Sequence, residues 1–315
     1  MTTHQNDPRF LFLIGTGRCG STLLAEVLAR HHDVGFISNI DTALPRANLM
    51  GKWNNTLYRR IPREISQRDK RDSNETIGHR FAQTVMHFGP SEAYGLVDRQ
   101  LSPIVSEPFR DLTEDDVTPW LRKRFRDFFE ERARSQGRPL FMHKFTGWPR
   151  ARFIHDILPE ARFIHVVRDG RAVANSLMQM PWWRGHLGPS RWGFGPLGES
   201  DAAAWERSGG SLLILAGLEW KLLMDAYEEA RAAIAPDRWM QVRYEDLVEG
   251  PRQIIQNVLE YADLPWTSRF EESIQRHSFG ANKRGYEKDL TASQQAELEK
   301  VLHAELVTLG YSSEA

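Results

Sequence analysis

The 315-residue chain has a single cysteine, Cys19, which excludes an internal disulfide and any zinc site built from cysteines. That usage fits a reducing compartment, and a cytoplasmic location is expected. Residues 1–9 are polar and lack the apolar centre of a secretory signal, and no apolar run approaches the roughly 18 residues of a membrane span. An excess of charge of either sign is missing as well: 41 basic and 42 acidic residues leave a formal net charge of -1. The balance gives no global attraction to nucleic acid or to anionic membranes, so any anion site is local. Repeats of architectural length are absent; Ala-Arg-Phe-Ile-His recurs at 151–155 and 161–165 but spans too little for a solenoid.

What the chain does have is an apolar run that stops at a glycine loop. Phe10-Leu11-Phe12-Leu13-Ile14 predicts a strand buried on both faces of a parallel sheet and ending at Gly15. Gly15, Gly17 and Gly20 permit a tight turn, and Ser21 to Arg30 then carries Leu24, Val27 and Leu28 at helical spacing. Strand, glycine loop and helix together point the first helix amides at a phosphate or sulfate.

Two loop motifs overlap here. Gly15-x-Gly17-x-x-Gly20 fits the dinucleotide fingerprint, the only support for an NAD-dependent oxidoreductase. Gly15, four residues, Gly20, Ser21 and Thr22 fit the nucleoside-triphosphate loop in outline, but Ser21 stands where that loop has its lysine. The missing lysine disfavours a P-loop kinase of small molecules. Arg18 supplies the basic group from inside the loop, where its planar fork can grip two anionic oxygens. Cys19 reads either as a small filler of the loop or as a nucleophile at a helix start.

Further along, Val34-Gly35-Phe36-Ile37 predicts a short strand whose end places Ser38, Asn39 and Asp41 near the mouth of the loop. Residues 43–137 are polar and arginine-rich, with helices expected at Glu75–His87 and Asp116–Ser135. Arg59, Arg60, Arg63, Arg68, Lys70 and Arg71 form either a solvated helical face or a patch for an anionic acceptor. Leu140–Phe145, a helix at Ala151–Leu158 and Arg162–Val167 read as a β-α-β unit with parallel strands. Helices are predicted from Ala172 to about Met180, from Leu212 to about Ile234, at Pro251–Tyr261 and from Thr291 to Leu309, and Trp239–Tyr244 predicts a fifth strand. Between them, Pro181–Gly198 holds Trp182, Trp183 and Trp192 in a loop that either contacts a sugar or aromatic acceptor or packs onto the body.

Two of these stretches carry a family resemblance. The loop from Gly15 to Thr22, with Arg inside it and Ser-Thr after its last glycine, resembles the 5′-phosphosulfate loop of sulfotransferases that use 3′-phosphoadenosine-5′-phosphosulfate (PAPS). Arg168-Asp-Gly-Arg-Ala-Val-Ala-Asn-Ser176 resembles the family's 3′-phosphate motif. Val242–Leu247 and the terminal loop with Asn282, Lys283, Arg284 and Gly285 are similar to further family segments, and the matches keep the family's order from residue 10 to 311. Tyr244, Glu245 and Asp246 are read as helix-start residues outside the site.

The resemblance implies a single α/β domain over 1–315, of P-loop NTPase-like sulfotransferase fold, with 43–137 and 181–200 as acceptor-shaping insertions. It implies sulfuryl transfer from PAPS to a hydroxyl or amine of a small-molecule or carbohydrate acceptor, with no metal required. Gly15, Thr16, Gly17, Arg18, Cys19, Gly20, Ser21 and Thr22 would hold the phosphosulfate, Arg168 and Ser176 the 3′-phosphate, and Lys283 or Arg284 would cover it. Lys144 stands in the context of the family lysine that meets the leaving oxygen. The family's base, a His after that strand or a Glu shortly after the first helix, is replaced by Thr146 and by Ser38-Asn39. Asp41 is the nearest carboxylate and the expected base, with His143, on the opposite side of its strand from Lys144, as competitor. Without either, the acceptor is nucleophilic enough to need no base, or the chain is a PAPS-binding module that does not catalyse transfer.

Overall fold

The computed structural model describes residues 8–43, 49–60, 88–275, 277, 279 and 285–313. Strand β1 (Arg9–Gly15) is buried along nearly its whole length and divides the apolar residues between two cores. Phe10, Phe12 and Ile14 face one side, Leu11 and Leu13 the other, as the period of two requires. The Phe12 ring meets Phe125, Phe129, Phe145 and Phe163 at centroid separations of 5.4 to 6.4 Å. Helices Pro119–Gln136, Ala151–Ile157, Leu212–Ala233 and Ala292–Thr308 cover that face; Ser21–Leu28, Pro251–Tyr261 and Ser268–Gln275 cover the other.

The sheet adds β2 (Val34–Phe36), β3 (Leu140–Thr146), β4 (Arg162–Val167) and β5 (Trp239–Arg243) in the order β2-β3-β1-β4-β5, with every pairing parallel. The register sets Gly15 beside Thr146 and Ile14 beside His165. The carboxyl ends of β1, β3 and β4 therefore open side by side into one crevice, the position at which ligands gather in open parallel sheets. The result is the expected single α/β domain.

Five strands lie where the sequence predicts them, and the helix ends shift by local chemistry. The helix expected from Asp116 starts at Pro119, because Thr118 accepts from the Leu121 amide and proline suits the first helical position. That expected from Ala172 starts at Gly170, capped by Asp169, and at Gly170 a side chain would meet the Trp220 ring at 2.6 Å. Within 88–116, where no pattern was legible, helices Tyr94–Gln100 and Pro103–Ser106 pack beside the crevice. The helix expected at Glu75–His87 and the basic residues Arg63, Arg68, Lys70 and Arg71 lie outside the described residues. Among the described residues no helix is long and apolar enough to cross a membrane.

Candidate active site

The loop after β1 takes a shape that its glycines allow. Gly17 and Gly20 have φ of 81° and 93°, and Arg18 between them has φ of 54°, so three residues of the turn occupy the left-handed region. At Gly20 a side chain would lie 2.2 Å from the Tyr244 ring; at Gly15 it would meet the Cys19 sulfur at 2.5 Å. Cys19 is thus turned inward and fully buried beneath the loop, lining neither cavity, which rules out the nucleophile reading. No side chain caps helix Ser21–Leu28, so its first amides face the crevice.

Arg18 Nε donates to Ser176 Oγ at 2.9 Å, and Arg168 Nη1 donates to the Arg18 carbonyl at 2.9 Å. The Arg168 guanidinium also lies 4.5 Å above the Tyr244 ring. Partial burial, and then the neighbouring Arg168 charge, lower the Arg18 pKa below the usual arginine value. Two guanidiniums this close make a strongly anion-attracting corner. Tyr244, read from sequence as a helix-start residue, lines the crevice and shapes it.

Lys144 comes up from the end of β3, buried to 5% exposure, and donates to Thr22 Oγ1 at 2.7 Å. Its ammonium lies 3.0 Å from Glu92 Oε1, and Thr146 Oγ1 donates to the same oxygen at 3.3 Å. Tyr94 OH donates to the Thr146 carbonyl at 3.1 Å and accepts from the Thr146 amide at 3.0 Å, which fixes the wall beside Glu92. Sequence reasoning missed Glu92. It reaches the site because residues 88–92 return to the end of β2, where Ser38 bridges Pro90 and the Ser91 amide donates to the Ile37 carbonyl.

The two expected bases sit elsewhere. Asp41 is buried, and its Oδ2 accepts from the Ser38 amide at 2.7 Å, Ser38 Oγ at 3.0 Å and Asn54 Nδ2 at 2.6 Å. Those donors make it a helix-start cap that ties β2 to the helix Asn54–Tyr58. His143 lies on the opposite face of β3 from Lys144, as alternation predicts, with its ring 5.2 Å from Phe129 and 4.5 Å from Phe145. Burial first, and then the nearby lysine and arginine charges, lower its pKa to about 3. Neither residue lines the crevice. Lys283 and Arg284 lie outside the described residues.

Two cavities meet at this point. One, of about 770 Å3, is walled by the loop from Gly17 to Leu23 with Glu92, Lys144, Arg168 and Tyr244. The other, of about 260 Å3, is walled by Trp148, Trp182, Trp183, Trp192 and Phe194, with Thr16 at its edge. Gly17, Tyr94, Glu107, Thr146 and Trp182 belong to both. The 181–198 loop therefore packs and lines a cavity at once: Trp183 and Trp192 are buried, while Trp182 is 58% exposed. Arg150 holds the opposite wall, donating to the carbonyls of Val105, Ser106, Thr146 and Trp148.

Among the described residues one group has metal-type side chains within reach of one another, His31, His32 and Asp33. It precedes β2, at the end of the sheet away from the crevice. His31 Nε2 meets the Pro265 carbonyl at 2.9 Å and Nδ1 accepts from the Asp33 amide at 3.2 Å, so its lone pair is already engaged.

The profile of the sulfotransferase family matches residues 8–268. A protein-tyrosine sulfotransferase of Drosophila melanogaster is 24% identical over 131 residues, 42% of this chain but 21% of the length of the fly protein. Among solved structures, a sulfotransferase from Mycobacterium avium aligns with a TM-score of 0.55 at 18% identity, over 96% of this chain and 76% of that one. A second, from Mycobacterium tuberculosis, aligns with a TM-score of 0.50 at 14% identity, over 94% and 76%. At these identities the structural likeness is one of fold. With the profile spanning most of its length and the fold in agreement, the chain belongs to the sulfotransferase family.

Proposed function

We propose that the protein transfers a sulfuryl group from PAPS to the hydroxyl of a small aromatic acceptor. The observation that carries the reading is the meeting of Arg18, Ser176, Arg168, Thr22 and Lys144 around one glycine loop, beside an aromatic cavity. Loop amides, Arg18 and Thr22 would hold the phosphosulfate, and Arg168 with Ser176 the 3′-phosphate. Lys283 or Arg284 would close over that phosphate.

In the reaction the acceptor oxygen attacks sulfur and forms the new O–S bond. The bond from sulfur to the 5′-phosphate oxygen breaks, and its electron pair stays on that oxygen. Lys144, Arg18 and the loop amides are arranged to stabilise the charge that gathers there. The acceptor's proton passes to Glu92, whose carboxylate lies beside Lys144 in the wall of the larger cavity. Asp41, bound by three donors, is left with a structural role.

Two measurements test this. Adenosine 3′,5′-bisphosphate should bind about tenfold or more tightly than adenosine 5′-phosphate, because a charge-assisted phosphate contact contributes about 1.5–3 kcal/mol. Labelled sulfate should then pass from PAPS to simple phenols. Equal affinity for the two nucleotides would remove the basis for PAPS, and tight bisphosphate binding without transfer to any acceptor would leave a binding module.

A further inference from the structure

Glu219 stands at the inner wall of the aromatic cavity, 3% exposed, on the long helix Leu212–Ala233. Its Oε2 accepts from the Trp183 indole N–H at 2.8 Å. Among the described residues it forms no ion pair, although a buried carboxylate ordinarily has a cation beside it. The buried guanidinium of the same cavity, Arg150, is spent on backbone carbonyls. Burial accordingly pushes the Glu219 carboxyl up to about 8, with the Trp183 bond only partly opposing it.

The space in front of Glu219 is lined by Trp148, Trp182, Trp183, Trp192 and Phe194, with Glu107 as a second carboxylate and the exposed Arg184 at the same lining. Indole faces attract cations through the ring quadrupole, most strongly where water is excluded. Near neutral pH such a carboxyl is largely protonated and needs no cation, but an ammonium entering among the indoles would favour its ionised form, which gives the cavity the composition of an ammonium site. Gly185 supports it: a side chain there would lie 2.0 Å from the Trp183 ring, so the glycine lets that indole reach Glu219.

We infer that the acceptor carries an ammonium group, which lodges between Glu219 and the tryptophans while its hydroxyl is presented at the Glu92–Lys144 end of the joined cavities. The acceptor class is then a hydroxylated aromatic amine. The hydroxyl end rests on the sulfuryl-transfer reading; the ammonium end rests on this cavity alone.

The test separates the two. With the full chain saturated in adenosine 3′,5′-bisphosphate, calorimetry compares phenethylamine with its neutral analogue 2-phenylethanol. The amine should bind about tenfold or more tightly, and in Glu219→Gln the two should come within about threefold of each other. In parallel, kcat/KM for PAPS-dependent transfer to tyramine should exceed that for 4-(2-hydroxyethyl)phenol by a similar factor. Equal affinity of the amine and the alcohol for the wild type overturns the inference, whether or not the variant folds. So does an amine preference that persists in Glu219→Gln and disappears in Glu107→Gln. Amine preference without transfer would sink the sulfuryl-transfer reading and leave the ammonium site standing; equal transfer to both phenols would do the reverse.

Discussion

Arg18 and Ser176, 158 positions apart in the chain, are joined by a 2.9 Å hydrogen bond from the arginine Nε to the serine Oγ. The bond exists because β1 and β4 are neighbours, so the loop after the first and the helix after the second share one edge of the sheet. The two anion motifs are therefore one surface. Ser176→Ala should weaken adenosine 3′,5′-bisphosphate binding by about 10- to 150-fold, the loss of one contact to a charged group at about 1.5–3 kcal/mol. Arg18→Ala should lower kcat by a larger factor than it raises the Kd of that product, as calorimetry beside single-turnover transfer would show. Normal turnover by the Arg18 variant would remove its assigned part.

Glu92 and Asp41 should separate cleanly. Glu92→Gln keeps an oxygen for Lys144 and Thr146 but cannot take a proton, so transfer should fall by about 10²- to 10⁴-fold with product binding little changed. Asp41→Asn can keep an acceptor oxygen for the three donors but loses the charge that strengthens those buried bonds, and should cost about 1–3 kcal/mol of stability in urea unfolding. Folded Asp41→Asn should turn over near the wild-type rate; the reverse pattern would return the base to Asp41.

Gly20→Ala tests the loop shape. A residue with φ of 93° whose Cβ would fall 2.2 Å from Tyr244 cannot accept a methyl group in place. Left-handed strain alone costs about 1–3 kcal/mol, so the variant should melt lower and lose nucleotide binding. Binding that survived with an unchanged Tm would show that the loop reaches its ligand in another form.

His165 gives a pH signature. Its ring stacks on Tyr227 at 4.0 Å, fully buried, and burial followed by the Arg231 charge lowers its pKa to about 3. Below its ordinary value the unfolded chain binds a proton that the folded ring refuses. The wild type therefore loses stability as pH falls from about 6.5 toward about 3. His165→Phe lacks this loss. Between pH 7 and 5 the stability difference should move in favour of the variant by about 2 kcal/mol. Parallel pH profiles of the two proteins would show that the ring does not resist protonation.

The strands and most helices were legible because burial on both faces gives unbroken apolar runs such as Phe10–Ile14, and because a cap such as Thr291 announces a helix start. Arg18, Lys144, Arg168 and Ser176 were legible because they stand one step from a strand end or inside a short motif. Glu92 was not, since only a single bridge between Ser38 and Pro90 carries it to the site, and a lone bridge leaves no periodicity. Asp41 reads two ways for a related reason. A carboxylate just past a strand end can face outward as a base or inward as a cap, and the choice was made by Asn54, 13 positions on. Glu219 was hidden inside a long apolar helix, where its neighbour across space, Trp183, belongs to a loop without regular pattern.

The place of β1 in the sheet also bears on how the protein is made. Both partners of this strand come late: β3 starts roughly 125 residues after β1 ends, and β4 follows it. At about 5–20 residues per second the ribosome needs roughly 6–25 s to supply the first partner. Throughout that interval this apolar strand has an unpaired edge on either side, the condition under which strands associate with the wrong partner. The strand that carries the glycine loop thus stays open to mispairing until β3 and β4 have been made.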